Sequence, residues 1–456
     1  MSNTTPWVSS STESHVTHRK TLGSWYLYDV AISVIDALMV TFVFSVYLTS
    51  SAFGTPEHTS QALGIATVIA AVIVAVFAPL IGRISDRSGR KTPGLALLTG
   101  ICVLATAACF FVAPAEQFLL LGVTLLSTAN AAKELASVNY YAMLPVVTDR
   151  DHLGKASGRG WACGYIGSTL GTAFVLFGFL FEDSPFFLGL PTENAVNVRA
   201  VALFCAAWCL MFAMPLVVSM RRQERRLQPP KPLRKNLVHN EGLWGAYRQI
   251  FRMVLHLWRT DRKALFFLLT SAVFRDGVAG MFTFGGVVAT GTFGFSLAEV
   301  TLFALAGNLV AGLGALVGGQ LDDRVGPKTV IVVSLMWMIL FTLPLLFLNG
   351  PSVFWICGLA VCVAVGPTQA SSRAYLGHLT TPGTEGALYG LYATTGRALT
   401  FLAPLMFTIA IGLSGQQRWG IAGVISLVIL GLLMLLPLPD PRRRSDLGSV
   451  EVHVGP

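Results

Sequence analysis

The sequence predicts an all-α membrane protein of twelve transmembrane helices, arranged as two pseudo-symmetric six-helix halves with both termini cytoplasmic. Three observations predict it. Charged residues make up only 12% of the 456-residue chain and hydrophobic residues 54%, whereas soluble domains carry about 25% charge. Long stretches such as Thr92–Pro114 and Thr329–Phe354 hold no charged side chain, and about 20 apolar residues suffice for a helix to cross the hydrocarbon core. Finally, Gly82, Asp86, Arg87, Gly89 and Lys91 recur as Gly319, Asp323, Arg324, Gly326 and Lys328, the mark of an internal repeat.

The apolar runs place helices at 22–50, 60–82, 93–114, 117–145, 155–181 and 199–220 in the first half. In the second half they fall at 263–291, 297–319, 328–348, 352–376, 385–413 and 418–437. Backbone groups in lipid must be paired internally, so spans are helices or closed barrels. These runs are too long for barrel strands and do not alternate in polarity, so they are read as helices. The chain therefore divides into a cytoplasmic tail at 1–20, a half at 21–220, a basic linker at 221–262, a half at 263–437 and a tail at 438–456. The polar, Ser- and Thr-rich first residues contain no signal-peptide pattern. All seven cysteines fall in apolar runs without a Cys-x-x-Cys, and are read as packing residues.

Charge fixes the expected orientation. The net charge of +9 is concentrated in alternate loops: Arg83 to Lys91, Arg150 to Arg159, Arg221 to Lys235, Arg324 to Lys328, and Arg442 to Arg444. Cations gather on the cytoplasmic side of membranes, so these loops are cytoplasmic and nucleic acid is not the implied partner. Within the linker, Leu243, Tyr247, Ile250, Phe251, Val254 and Trp258 recur at helical spacing between arginines. They predict an amphipathic helix on the membrane surface. Trp25, Tyr26, Tyr28 and Trp419 near span ends are expected as interfacial anchors.

The stretch Gly82-Arg-Ile-Ser-Asp-Arg-Ser-Gly-Arg-Lys91 resembles the signature loop of the major facilitator superfamily. A narrower resemblance is to the "unknown major facilitator" family, related to vacuolar amino-acid effluxers of autophagy. It is carried by Leu27-Tyr-Asp-Val-Ala31, Ala142-Met-Leu-Pro145, Ser157 to Gly167, Phe274-Arg-Asp-Gly-Val-Ala279 and Gly366-Pro-Thr-Gln-Ala-Ser-Ser-Arg373. Val30 to Ser33 depart from the family's usual Trp and Asn. The resemblance implies that Gly82, Asp86, Arg87, Gly89 and Arg90, with Asp323, Arg324 and Gly326, latch a cytoplasmic gate. It also implies efflux as the direction. Asp86 is suited to face a helix N-terminus or a cation, and Gly89 a tight turn.

Ionisable residues within spans are costly and usually face a cavity or a partner. Here Asp29 and Asp36 lie in the first span, and Asn130, Lys133, Glu134 and Tyr140 in the fourth. Arg275 and Asp276 lie in the seventh, Gln369 and Arg373 in the tenth, and Arg397 in the eleventh. Burial favours the neutral acid and lets a carboxyl exchange protons near neutral pH. Asp36 and Glu134, with Asp29 and Asp276 behind them, are the proton-coupling candidates. Asp29 is expected nearest the cytoplasmic interface. Arg275, Arg373 and Arg397 are candidates to hold an anionic substrate group, since guanidinium binds carboxylate or phosphate bidentately. Lys133, Asn130, Tyr140 and Gln369 complete the candidate cavity. Lys133 and Glu134 point about 100° apart and are not expected to pair with each other. The alternative is that all these charges form permanent interhelical ion pairs. Gly366-Pro367 is expected to kink or break the tenth helix and free carbonyls near Gln369 and Arg373. Gly154, Gly158 and Gly164 echo as Gly386, Gly390 and Gly396, for close helix contact.

No phosphate-binding loop, metal-ligand spacing or nucleophile elbow occurs, so no cofactor, metal or enzymatic step is expected. The expected activity is secondary active transport of a small, anionic or zwitterionic, amino-acid-like metabolite by alternating access. It is coupled to protons, directed outward and carried out by a monomer among the lipids of a bacterial plasma membrane. A flippase for an anionic lipid, a multidrug exporter and a non-transporting receptor or scaffold are the rival readings.

Overall fold

A computed structural model describes residues 9–227, 248, 254–255, 258–259 and 262–441, except 182, 183, 185, 187 and 382, with side chains from residue 21 apart from those of 56, 226, 227, 297 and 298. Among the described residues, twelve helices are long and apolar enough to cross a membrane. In the first half they are α1 Thr21–Leu48, α2 Glu57–Ser88, α3 Thr92–Phe111, α4 Glu116–Val147, α5 Arg150–Leu180 and α6 Glu193–Arg225. In the second they are α7 Arg262–Phe293, α8 Glu299–Val325, α9 Pro327–Phe347, α10 Pro351–Leu379, α11 Glu385–Ser414 and α12 Gln417–Leu435. Among the described residues there is no strand. The amphipathic helix expected at 243–258 lies largely outside the described residues.

Each half buries its own apolar core. Tyr28, Leu38, Phe44 and Cys205 pack in the first, and Phe267, Phe274, Met338 and Tyr375 in the second. Outward-facing apolar side chains such as Val68, Leu104, Leu120, Leu340 and Ile356 stay exposed. Such a surface suits lipid, which has no hydrogen bonds to offer or lose.

The halves meet most extensively where α5 packs on α8 and α11 on α2. Glycine makes both contacts possible. A Cβ on Gly158 would overlap the Ala315 carbonyl, and one on Gly319 the Gly154 carbonyl. A Cβ on Gly82 would overlap the Gly386 carbonyl, and one on Gly390 would meet Ala78 and Pro79. Two backbones touch at each crossing, as small residues allow.

Four local features differ from the sequence expectation. The repeated gate motif is not simply a loop. α2 continues to Ser88, so Gly82, Asp86 and Arg87 ride on its last turns, and Gly89 ends it at φ +63°. α8 likewise carries Gly319, Asp323 and Arg324 before Gly326 at φ +89°. Secondly, α10 is not broken at Gly366-Pro367. The proline removes the donor to Val363, nearly two turns before Gln369, and that carbonyl lies against Gly314 of α8. Thirdly, α1 passes into a π-helical stretch at Ile35–Phe42, which begins beside Asp36. Such stretches are frequent at functional positions.

Lastly, α11 is interrupted. Helix stops at Ala398 and resumes at Leu402. Pro404 cannot donate to Thr400, and its ring excludes a continuous helix there. The Ala403 N–H released by the break donates to Asp276 Oδ2 of α7 at 2.7 Å. Trp25 and Tyr28 also correct an expectation, because both are wholly buried rather than interfacial. Trp25 Nε1 donates to the Tyr140 carbonyl and the Tyr28 hydroxyl bonds Thr99 Oγ1.

Candidate functional site

A cavity of about 920 Å³ lies between the halves. Its walls come from the second part of α1, the middle of α5, the second part of α7, the first parts of α8 and α10, and the ends of α9, α11 and α12. These are the parts of the spans remote from the basic loops. Asp29, Tyr141 and Trp161 line the other end. Beyond them, toward the basic loops, the glycine crossings of α5 on α8 and α2 on α11 close the space.

Of the ionisable and polar candidates singled out by sequence, two line this cavity: Asp29 and Asp36. Lys133, Glu134, Arg397 and Arg373 are not among the lining residues and form two ion-pair networks with these carboxylates, each joining the halves. In the first, Asp36 Oδ1 of α1 takes a hydrogen bond from Lys133 Nζ of α4. The same ammonium lies 3.3 Å from Glu134 Oε1, and Arg397 Nη2 of α11 lies 2.5 Å from that oxygen. The expectation that Lys133 and Glu134 do not pair is thereby corrected. The four-carbon lysine stem spans the 100° between them. Arg397, isolated by sequence, completes the network.

In the second network, Arg373 of α10 lies wholly buried and holds Asp29 of α1. Nη1 is 3.3 Å and Nη2 3.4 Å from Asp29 Oδ2. Nε donates to Ser157 Oγ at 2.9 Å, and Nη2 to the Ser157 carbonyl at 2.8 Å. Its Cζ sits 4.6 Å above the Trp25 ring. Asp29 is only 7% exposed, which corrects the expectation that water at the interface reaches it. Tyr140 is fully buried, stacked on Trp25 at 4.6 Å, and donates to the Trp25 carbonyl. It supports this network from behind and does not line the cavity.

The remaining candidates have other surroundings. Asp276 caps the second part of α11, as described above. Arg275 places its Cζ 4.0 Å over the Tyr392 ring, and its buried Nε and Nη1 have no hydrogen-bond partner. Asn130 and Gln369 are half-buried and outside the cavity wall.

The residues of the repeated motif form a matched pair of helix caps. Asp86 Oδ1 and Oδ2 accept from the Gly386 and Ala387 N–H groups at 2.8 and 2.7 Å, at the start of α11. Asp323 Oδ1 accepts from the Lys155 N–H at 3.1 Å, near the start of α5. A carboxylate at a helix N-terminus satisfies orphan donors and complements the helix dipole. Lys91 Nζ adds a bridge to Glu385 at 3.4 Å. Arg87, Arg90 and Arg324 are exposed at this end.

Sequence reasoning missed several contributors. Ser157 anchors Arg373, and Glu224 Oε1 accepts from the Lys91 and Thr92 N–H groups. Asn308 lines the cavity from α8, and an amide in an otherwise apolar span was the available signal. Tyr141, Trp161 and Tyr165 also line it.

Residues 49–448 match the family described as vacuole effluxer Atg22 like. An uncharacterised MFS-type transporter, YxiO of Bacillus subtilis, is 25% identical over 425 residues, which is 91% of this chain and 94% of that protein. Autophagy-related protein 22-2 of Aspergillus fumigatus is 24% identical over 269 residues, which is 54% of this chain and 42% of that protein. Among solved structures, the MFS proton:xylose symporter XylE matches with a TM-score of 0.71 at 13% identity, covering 93% of this chain and 97% of that one. The human organic anion transporter MFSD10 matches at 0.66 and 15%, covering 92% and 99%. A bacterial homologue of ferroportin in its outward-facing state matches at 0.66 and 13%, covering 92% and 99%. At such identities the structural matches establish a shared fold and carry no cargo.

Proposed function

This chain belongs to the Atg22-like vacuole effluxer family of major facilitator transporters, and from that premise we propose that it exports a small organic solute in exchange for protons. The observation that carries the reading is the cavity between the halves, closed toward the basic loops by paired glycine crossings. A single cavity closed at one end is what alternating access requires of one of its two states. The positive-inside distribution of the basic loops supports a cytoplasmic closed end and an outward-facing state. The similarity to a Bacillus subtilis transporter supports a bacterial plasma membrane as the location, where the protein acts as a monomer.

Asp36 is the proposed proton carrier. It is the candidate carboxylate with the largest exposure to the cavity, its side chain 52% exposed, and it is linked through Lys133 and Glu134 to Arg397 in the other half. Neutralising Asp36 leaves Lys133 and Arg397 with Glu134 as their nearest remaining counter-ion, which alters the tie across the halves. That couples a proton on α1 to the position of α11. Asp29 is the second proposed site, tied to Arg373 in the same manner. Glu134 and Asp276 act through the ties that they hold.

The test is gradient-driven flux in proteoliposomes, after substrate screening by ligand-induced thermal shift. Asp36→Asn should abolish coupling to an imposed pH gradient and leave gradient-independent exchange. Full gradient-driven flux by both Asp36→Asn and Glu134→Gln would remove the proton-coupling reading.

A further inference from the structure

The arginines that sequence offers to an anionic cargo do not line the cavity. Among the described lining residues there is no Lys, Arg or His, and the carboxylic side chains are Asp29 and Asp36. Lys133 and Arg373, the counter-ions of these carboxylates, are 3% and 1% exposed and lie behind them. They compensate charge without presenting N–H groups to the cavity. An anion placed here would face two carboxylates and find no cationic donor.

We infer that the cavity accepts an organic cation, an amine or quaternary ammonium on an apolar body, with Asp36 as its counter-ion. Three further observations converge on it. Asp36 Oδ1 takes the Lys133 hydrogen bond, while Oδ2 has no partner among the described residues. That leaves a carboxylate oxygen for an ammonium donor. Tyr141, Trp161 and Tyr165 also line the cavity, with the Trp161 and Tyr165 rings 5.7 Å apart. Aromatic faces attract cations where water is scarce. On the far wall, Phe284 and Phe407 stack at 4.0 Å and give an apolar seat for the body of the ligand.

The inference deepens the transport reading and rests on it for the cavity's role. It also supplies a reason for exchange with protons, because a cation and a proton compete for the same Asp36 oxygens.

The experiment titrates purified full-length protein by calorimetry at neutral pH with two probes of matched size, 2-phenylethylamine and 3-phenylpropionate. The amine should bind about tenfold or more tightly than the acid. Asp36→Asn should lose about tenfold in amine affinity, and Asp36→Glu should recover most of it. Equal or tighter binding of the acid, binding of neither probe at about 10 mM, or unchanged amine affinity in Asp36→Asn overturns the inference. Counterflow of labelled probe then separates it from the transport reading. Amine binding without counterflow leaves the cation site standing and removes transport. Counterflow of the acid alone does the reverse.

Discussion

Glu134 of α4 and Arg397 of α11 meet across the boundary between the halves, carboxylate Oε1 to guanidinium Nη2 at 2.5 Å. Both side chains are about a quarter exposed, so water screens part of their attraction. Removing one partner of a fully buried pair costs about 3–5 kcal/mol, and surface pairs contribute under about 1 kcal/mol. Arg397→Met should therefore destabilise by about 1–3 kcal/mol. The double variant with Glu134→Gln should cost less than the sum of the singles. Thermal or denaturant unfolding in detergent reads this, and strict additivity would mean that the pair is not coupled.

The glycine crossings predict a conformational bias. Gly158→Leu should force α5 away from α8 and open the end near the basic loops. A cysteine at Asn308, on the cavity wall, should then react more slowly with an impermeant maleimide added from the side remote from those loops. Unchanged labelling would show that the crossing can be relieved without moving the halves.

The break in α11 gives a test of capping. Asp276→Ala removes the acceptor for the Ala403 N–H and should cost about 1 kcal/mol. Asp276→Asn keeps an acceptor oxygen and should lose less. Equal losses in the two variants, measured by unfolding, would assign the role of Asp276 to its charge and not to its cap.

Arg373 is sensitive to shape as well as charge. Arg373→Lys keeps the cation but cannot hold Asp29, Ser157 Oγ and the Ser157 carbonyl together. It should destabilise by about 1–3 kcal/mol through the donors and acceptors left unmet. A variant with wild-type stability would show that charge alone holds α1 to α10.

Asp86→Ala should free the first N–H groups of α11 and raise labelling of cavity cysteines from the side of the basic loops. Asp323→Ala should act in the same direction through α5, and the two together should exceed either alone. No change in labelling by any of the three would remove these caps from the latch.

Much of this was readable in order along the chain. Twelve apolar runs gave twelve spans, because a helix in lipid satisfies its backbone wherever it sits. The echo of Asp86 in Asp323 showed two halves before any coordinates. The chain did not show which charge faces which. Asp29 and Asp36 sit two turns apart on one helix, yet one is buried against Arg373 and the other stands half in the cavity. Nor did it show that Pro404, rather than Pro367, interrupts its helix.

Sequence alone therefore determined the number of spans, the pairing of halves and the set of ionisable side chains that must find partners. Those follow from local composition, since apolar length and loop charge act residue by residue. Only the tertiary structure decided that the arginines tie helices together while the carboxylates face the cavity. Electrostatic roles depend on distances across helices that are remote in the chain, and burial there separates a counter-ion from a binding group.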